Sequence, residues 1–378
     1  MTRAASVRKG SVLESPATGK KFVIGEWVGE GGFGEVWACT QLRQASPALV
    51  AKLSRDLVTF CAEVYLADLV QEAKRGFVRM VDKFAMVDRH GPVYVLIQER
   101  AENGDLDHYL CERGTPLPQT QAVSEFRHLL NVLELLHAGG GVHRDITPWN
   151  VLVDGGGHLL LGDFGIARHS AKRRGVTGET FNEAWVPPEM VKVGRKAHYW
   201  GPRQDVWQIG QLLAYALYVG DQPYGEPMVG CREPGQVRYL QCDNWLKEVI
   251  YRAIADDDVL RFASAAEMKS ALQQRQGFAQ SLPVSRPRTL KGERIVITGR
   301  LESCTKAEGL ARARDLGAIP STEVTATTQY IVAAGNQPLY AAGGAGEKIL
   351  RAAYFRGGGS GIKQIPGTWF EKLIFGPR

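Results

Sequence analysis

Val142-His143-Arg144-Asp145-Ile146-Thr147-Pro148-Trp149-Asn150-Val151-Leu152-Val153, with Leu161-Gly162-Asp163-Phe164-Gly165 soon after, is the text on which the reading of this chain turns. It sets a carboxylate, an amide and a second carboxylate along two loops bordered by short apolar runs. Asp145 stands where a carboxylate can align an acceptor hydroxyl and take its proton. Asn150 and Asp163 offer the hard oxygen ligands that magnesium prefers. Any one of these residues alone is more often a loop cap than a catalyst, so their weight depends on what precedes them.

What precedes them is a phosphate cradle. Gly29-Glu30-Gly31-Gly32-Phe33-Gly34-Glu35-Val36 lets backbone approach polyphosphate closely and offers amide donors with no side chain in the way. A dinucleotide fold would follow such glycines with a helix, whereas Val36-Trp37-Ala38-Cys39-Thr40 is β-branched and aromatic. The loop therefore reads as a hairpin lidding a nucleotide. A hairpin of that kind calls for a lysine on the next strand, and Val50-Ala51-Lys52 supplies it. A lysine in a buried strand is costly unless paired. Glu63, in the following helical segment, is the expected partner, with Glu72 the competitor nearer the next strand.

Glycine loop, lysine, His-Arg-Asp…Asn and Asp-Phe-Gly, in that order, resemble the eukaryotic-type protein kinase family over about residues 21–275. The resemblance implies an α+β two-lobed protein kinase fold with ATP and Mg2+ in the cleft. Gly29, Gly31 and Gly34 would cover the phosphates, and Lys52, paired with Glu63, would hold the α- and β-phosphates. Asp145 would be the catalytic aspartate, and Asn150 and Asp163 would carry Mg2+. Gln98 would be the gatekeeper, the backbone of Glu99 and Ala101 would meet adenine, and Val36, Ala51 and Leu152 would sandwich the ring. Pro187-Pro188-Glu189 stands where the family has Ala-Pro-Glu, its glutamate expected to pair with Arg261. Asp205-Val206-Trp207-Gln208-Ile209-Gly210 matches the buried helix that anchors the catalytic loop.

Two departures bear on the acceptor. Thr147 replaces the lysine that serine/threonine kinases carry two residues after the catalytic aspartate, and Asn182 replaces a substrate-facing threonine. Pro148 and the overall likeness favour serine/threonine specificity, and the retained lysine, aspartates and asparagine favour an active enzyme over a pseudokinase scaffold. Ser170, Thr177 and Thr180 lie beside Lys172, Arg173 and Arg174, as in a segment ordered by phosphorylation, with Arg144 the expected partner of the phosphate.

The chain has 378 residues, room for two or three domains at about 100–200 residues each. With 44% hydrophobic and 23% charged residues it is not a disordered chain. No apolar run nears the roughly 20 residues of a membrane span, and the basic start Met1–Lys9 lacks the apolar stretch of a secretory signal. Six cysteines without Cys-x-x-Cys spacing read as reduced thiols of a cytoplasmic protein. Strand-like runs (Phe22-Val23-Ile24, Trp27-Val28, Val36-Trp37-Ala38, Leu49-Val50-Ala51) give way to helices. One carries Ala122, Phe126, Leu129, Leu130, Leu133 and Leu136 up to Gly139-Gly140, and another runs from Asp205 to about Tyr218. Residues 1–20 are expected as an N-terminal extension and the proline-bearing stretch 276–288 as a linker.

The net charge of +6 is not evenly spread. Arg286–Arg378 holds 14 Lys+Arg against 7 Asp+Glu, while the preceding residues hold 32 and 33. Within 289–378 the pattern is strand, helix, strand, strand, helix, strand, helix, with Thr305…Glu308 at capping-box spacing. Thr298-Gly299 after the first strand, Gly317 closing the first helix, Thr328-Gln329-Tyr330-Ile331-Val332-Ala333 and the late Trp369 resemble a BRCT domain of the type ending bacterial NAD-dependent DNA ligases. That resemblance implies a small α/β domain with a central parallel sheet flanked by helices. It also implies a phosphate pocket of Thr298, Gly299 and Lys348, where a hydroxyl, an N–H and an ammonium converge near a helix N-terminus. Expected partners are a protein substrate and a phosphoprotein or DNA-associated protein, with DNA-end contact as the alternative. A setting in DNA repair or defence follows only by analogy.

Overall fold

The computed structural model describes residues 7–31, 34–43, 48–162, 168–169, 185–191, 200–218, 237, 240–278, 282–335 and 345–376. Asp163, Ser170, Thr177, Thr180 and Asn182, singled out above, lie outside the described residues. By compactness the chain divides into two units: 1–212 with 264–266, and 213–263 with 267–378.

The first unit opens with a six-stranded antiparallel sheet of β1 (Val12–Glu14), β2 (Lys21–Gly31), β3 (Gly34–Gln41), β4 (Leu49–Ser54), β5 (Met80–Asp88) and β6 (Gly91–Glu99), in the order β1-β2-β3-β4-β6-β5. Strand period two decides its faces. Phe22, Ile24, Trp37, Cys39, Leu49, Ala51, Leu53, Val95 and Ile97 form one buried cluster, while Val36, Val50 and Lys52 take the opposite face. β2 is bulged between Ile24 and Gly29, so the strand bends as it reaches the glycine loop. Residues 7–20, expected as an extension, supply β1. Val12, Leu13 and Glu14 pair with Val23, Phe22 and Lys21, and Val7 and Leu13 are buried. The segment is locked by Asp82, whose carboxylate accepts from Ser15 Oγ (3.3 Å) and Thr18 Oγ1 (2.7 Å).

Helix α1 (Leu57–Leu69) crosses between β4 and β5, capped by Asp56, whose side chain accepts from the N–H groups of Val58 and Thr59. After β6 come α2 (Leu106–Arg113), capped by Asp105 and closed by left-handed Gly114, and α3 (Gln119–Ala138). All six apolar residues anticipated on α3 are fully buried, and the helix stops at Gly139. Then follow β7 (Gly141–Val142), the antiparallel pair β8 (Val151–Val153) and β9 (Leu159–Leu161), β10 (Arg168–His169) beside β7, α4 (Pro188–Val191) and α5 (Pro202–Ala216). The catalytic-loop text is thus the connection from β7 to β8.

The second unit holds α6 (Asn244–Ala253), the 3-10 turn Asp258–Leu260, most of α7 (Ala265–Gln274) and an α/β domain. That domain runs β11 (Arg294–Gly299), α8 (Lys306–Asp315), β12 (Ile319–Ser321), β13 (Tyr330–Ala334), α9 (Ala345–Gly357), β14 (Lys363–Pro366) and α10 (Gly367–Phe375). Its four strands are all parallel, in the order β12-β11-β13-β14. The Thr305 capping box is formed in full, and Ile295, Ile297, Val332, Ile365 and Phe370 fill the core.

The stretch read as a linker is only partly free. Val284 bridges Gln364 on β14, Pro287 O accepts from Trp369 Nε1 at 3.0 Å, and Leu282 is buried. Arg351 of α9 also reaches Asp257 at 3.1 Å. By compactness, residues 213–263 fall in the same unit as the C-terminal domain.

Candidate active site

A cavity of about 860 Å3 lies within the first unit. Its roof is the end of β2 and start of β3 (Val28, Gly29, Gly34, Val36), its back wall Val50, Lys52 and Glu63, and its edge the strand end Gln98–Ala101. Its floor is Trp149, Asn150, Leu152 and Gly162. Gly34 is at φ +148°, and a Cβ there would fall 2.1 Å from the Leu53 carbonyl oxygen, so a side chain would force the hairpin off β4. Gly31 pairs with Gly34 across that hairpin.

Lys52 Nζ lies 3.0 Å from both Glu63 carboxylate oxygens, so Glu63 is the partner and Glu72 is not involved. The pair is nearly buried, and two cationic–anionic hydrogen bonds offset its desolvation. Ala51, expected against the ring, is not on the wall. It pairs in register with Trp37 and is fully buried in the sheet core, whereas Lys52 pairs with Val36. With period two, the residue sharing Lys52's face is Val50, and Val50 lines the cavity. Val36, Leu152, Glu99 and Ala101 line it as expected. The Ala101 backbone N–H makes no hydrogen bond to any other described residue, which leaves a donor at the cavity edge.

On the floor, Asn150 Nδ2 donates to the Asp145 backbone carbonyl (2.9 Å) and to Asp145 Oδ2 (2.7 Å). With its nitrogen so engaged, the amide keeps its oxygen as a ligand atom. Asn150 O accepts from Gly162 N (2.9 Å), tying this loop to the residue before Asp163. His143 reinforces the tie, its Nε2 3.1 Å from Gly162 O. Thr147 is buried, its carbonyl accepting from the N–H groups of Asn150 and Val151.

Two residues of α5 hold this loop by its backbone. Buried Asp205 accepts from His143 N (2.8 Å), Arg144 N (3.0 Å) and Trp200 Nε1 (2.9 Å), and lies 2.9 Å from His137 Nε2. Burial alone would raise its pKa, but the hydrogen bonds and charge interaction with His137 and the bonds from the His143 and Arg144 amides hold it below the ordinary carboxylate value. Arg144 sits in the left-handed region at φ 74°, the strained conformation that presents its N–H to Asp205. Gln208, three residues on, accepts from Ile146 N (3.0 Å) and donates to Arg144 O (3.2 Å) and Trp185 O (2.9 Å). The roles of His137 and Gln208 were not read from the sequence. For Gln208 the legible signal was its place at i, i+3 from Asp205 on α5, among the apolar residues Val206, Trp207, Ile209, Leu212 and Leu213.

In the C-terminal domain, Thr298 is buried at the end of β11 and Gly299 is at φ +79°, where a Cβ would fall 2.1 Å from Ala334 O. Lys348 is in the first turn of α9, its pKa lowered by burial and by the charge of Lys306, against the opposing effect of Glu347 and Glu323. Buried Glu371 accepts from Glu302 N (2.7 Å) and Ser303 N (2.8 Å), fixing the loop after Gly299.

The comparisons agree with this geometry. The model of the protein kinase domain family matches residues 22–240. The serine/threonine-protein kinase PEPKR2 of Arabidopsis thaliana is 30% identical over 221 residues, 57% of this chain and 44% of that protein. The serine/threonine-protein kinase PknL of Mycobacterium tuberculosis is 30% identical over 221 residues, 56% of this chain and 52% of that protein. The megakaryocyte-associated tyrosine-protein kinase of Mus musculus is 28% identical over 243 residues, 60% and 45%. The chain thus spans about half the length of the curated relatives it matches. With a family model covering more than half of its residues, and with Lys52, Glu63 and the Asp145-bonded Asn150 on one cavity, this chain belongs to the protein kinase domain family.

Proposed function

We propose that the chain is a Mg-ATP-dependent protein kinase that phosphorylates serine or threonine hydroxyls. The observation that carries this reading is the shared cavity. Lys52, held by Glu63, faces it from the sheet, and Asn150, bonded to Asp145, faces it from the loop below. Adenine would lie between Val36 and Val50 above and Leu152 below, accepting from the Ala101 N–H, with Lys52 on the α- and β-phosphates. The acceptor hydroxyl gives its proton to the Asp145 carboxylate as its oxygen bonds to the γ-phosphorus. The bond from that phosphorus to the bridging oxygen breaks, and ADP leaves with the electron pair. The Asn150 amide oxygen, with Asp163 as its expected companion, suits Mg2+, a hard cation that takes one or two protein oxygens besides phosphate. Bound there, Mg2+ neutralises charge on the phosphates. Serine/threonine specificity is supported by Pro148 and by the names of two of the relatives above. The test is mass-spectrometric phosphosite mapping after incubation with ATP and Mg2+. New phosphate on serine or threonine, Ser170, Thr177 and Thr180 among the expected sites, supports the reading, and tight nucleotide binding with no transfer to any protein overturns it.

The second part of the proposal is that residues 289–378 act as a BRCT module recruiting the kinase to a phosphorylated partner. Support comes from the all-parallel sheet with helix after strand, the Gly299 turn and the position of Lys348 in the first turn of α9. A Lys348→Glu variant should lose at least about tenfold in affinity for a phosphoserine peptide relative to its unphosphorylated twin, as expected for removing a charge-assisted bond. Calorimetry measures this. Equal affinity of the parent chain for both peptides removes the phosphate role, and preference for 5′-phosphorylated duplex over peptide transfers it to DNA ends.

A further inference from the structure

Trp149 lines the cavity but has no part in holding the nucleotide as proposed above. It is 39% exposed, and its indole N–H makes no hydrogen bond to any other described residue. A lone apolar side chain in water needs no explanation on an open surface. This one stands on the wall of the cavity, one residue before Asn150, whose Nδ2 touches the Asp145 carboxylate. The backbone fixes it there. Thr147 O accepts from the N–H groups of Asn150 (3.1 Å) and Val151 (3.2 Å), closing a turn around Trp149. Pro148 O accepts from Leu106 N (3.0 Å), the first residue of α2, and Asp105 bridges Leu152. The same cavity is lined by one side of α2, where Asp105, His108 and Glu112 recur at steps of three and four. The loop that carries the indole and this helix are therefore held at a set spacing.

We infer that Trp149 is a specificity-determining residue, selecting protein acceptors that carry an aromatic side chain two or three residues from the hydroxyl. The inference rests on the proposed phosphoryl transfer and names its substrate class. An acceptor whose hydroxyl reaches Asp145 must lay its flanking residues along this loop. An extended chain advances about 3.3–3.6 Å per residue, so side chains two or three residues away lie about 7–11 Å from the acceptor. A ring that begins next to Asn150 is within that reach. The charges nearby do not favour an ion of either sign. Asp105 is engaged as the cap of α2, accepting from His108 N, and Glu102 accepts from Gly155 N. Glu112 and Arg113 stand side by side with opposite charge. What remains to discriminate is the indole, a wide apolar face that an aromatic ring can stack on or meet edge to face.

The test gives the full chain ATP, Mg2+ and a library of serine peptides in which each flanking position is fixed in turn as Trp, Phe, Ala, Arg or Glu. At one position near the serine, kcat/KM for Trp or Phe should exceed that for Arg and Glu by at least about tenfold. The gain should fall on KM, because stacking away from the reacting atoms binds substrate and transition state alike. Trp149→Ala should bring the aromatic preference to within about twofold of none, and Trp149→Phe should retain most of it. Each preference is a ratio taken within one protein, so a smaller folded fraction in a variant does not alter it. Transfer with no aromatic preference overturns the inference and leaves phosphoryl transfer standing, as does a preference that survives in Trp149→Ala. A Trp149→Ala chain whose only change is a higher KM for ATP assigns the indole to the nucleotide and also overturns it. No transfer to any peptide overturns both readings.

Discussion

Asp145→Ala should lower the rate of phosphoryl transfer by about 10²–10⁴-fold at saturating ATP, the usual contribution of a positioned proton acceptor. The structure explains why the loss should fall on turnover and not on nucleotide binding. Lys52 and Glu63 hold each other without reference to Asp145, and the apolar wall of Val36, Val50 and Leu152 is untouched. What the substitution removes is the carboxylate that Asn150 Nδ2 contacts at 2.7 Å, while the 2.9 Å bond from Asn150 to the residue 145 carbonyl survives. The loop therefore keeps a main-chain tether. Initial rates with labelled ATP, read beside nucleotide affinity by calorimetry, separate the two effects. A variant that transfers phosphate within about threefold of the parent chain would remove Asp145 from the mechanism.

Asp205→Ala should destabilise the first unit by about 3–5 kcal/mol, the range for breaking a buried, hydrogen-bonded charge. Its carboxylate is the common acceptor for His143 N, Arg144 N and Trp200 Nε1, so one truncation strands several buried donors at once. Differential scanning calorimetry should show a fall in Tm of roughly 10 °C. Activity should fall with it, because Arg144 holds its left-handed conformation beside Asp145 through this bond. The pH dependence has a definite sign. Asp205 has a lowered folded-state pKa, while an unfolded aspartate titrates near about 3.9. Its stabilisation is therefore fully present above about pH 4 and is lost as pH falls through the lower folded value. The Asp205→Ala chain should show a shallower loss of stability in that acid window. An unchanged slope would mean that the carboxylate is not ionised in the native state.

Much of the site was legible because its chemistry is local or follows strand and helix periods. Lys52 had to be paired, and a carboxylate on the next helix was the economical choice, which the geometry places at Glu63. The period-3.6 pattern of α3 was read to its last leucine, and the α/β succession of 289–378 followed from strand and helix alternation. The exchange of Ala51 for Val50 shows a limit of a different kind. The period of the strand was available in the sequence, but the face on which it places each residue becomes definite only when Trp37 and Val36 are set opposite Ala51 and Lys52.

Other features had no sequence signal strong enough to read. Strand β1 has three residues, of which only Leu13 is buried, and its place depends on Ser15 and Thr18 meeting Asp82 far along the chain. The exposed apolar residues of α1, Leu57 and Val58 among them, look in sequence like half of a buried helix. Only the packing of Thr59 and Glu63 inward shows which half is left in solvent.

By itself, the sequence determined the kinase family and the residue types on which the proposed phosphoryl transfer rests, since Lys52, Asp145 and Asn150 carry that likeness through type and order. Tertiary structure alone decided how those residues are held. Asp205 and Gln208 act on the backbone of His143, Arg144 and Ile146 from about sixty residues away. Backbone N–H and C=O groups are the same at every position, so no pattern of side chains records which of them a distant carboxylate or amide will find.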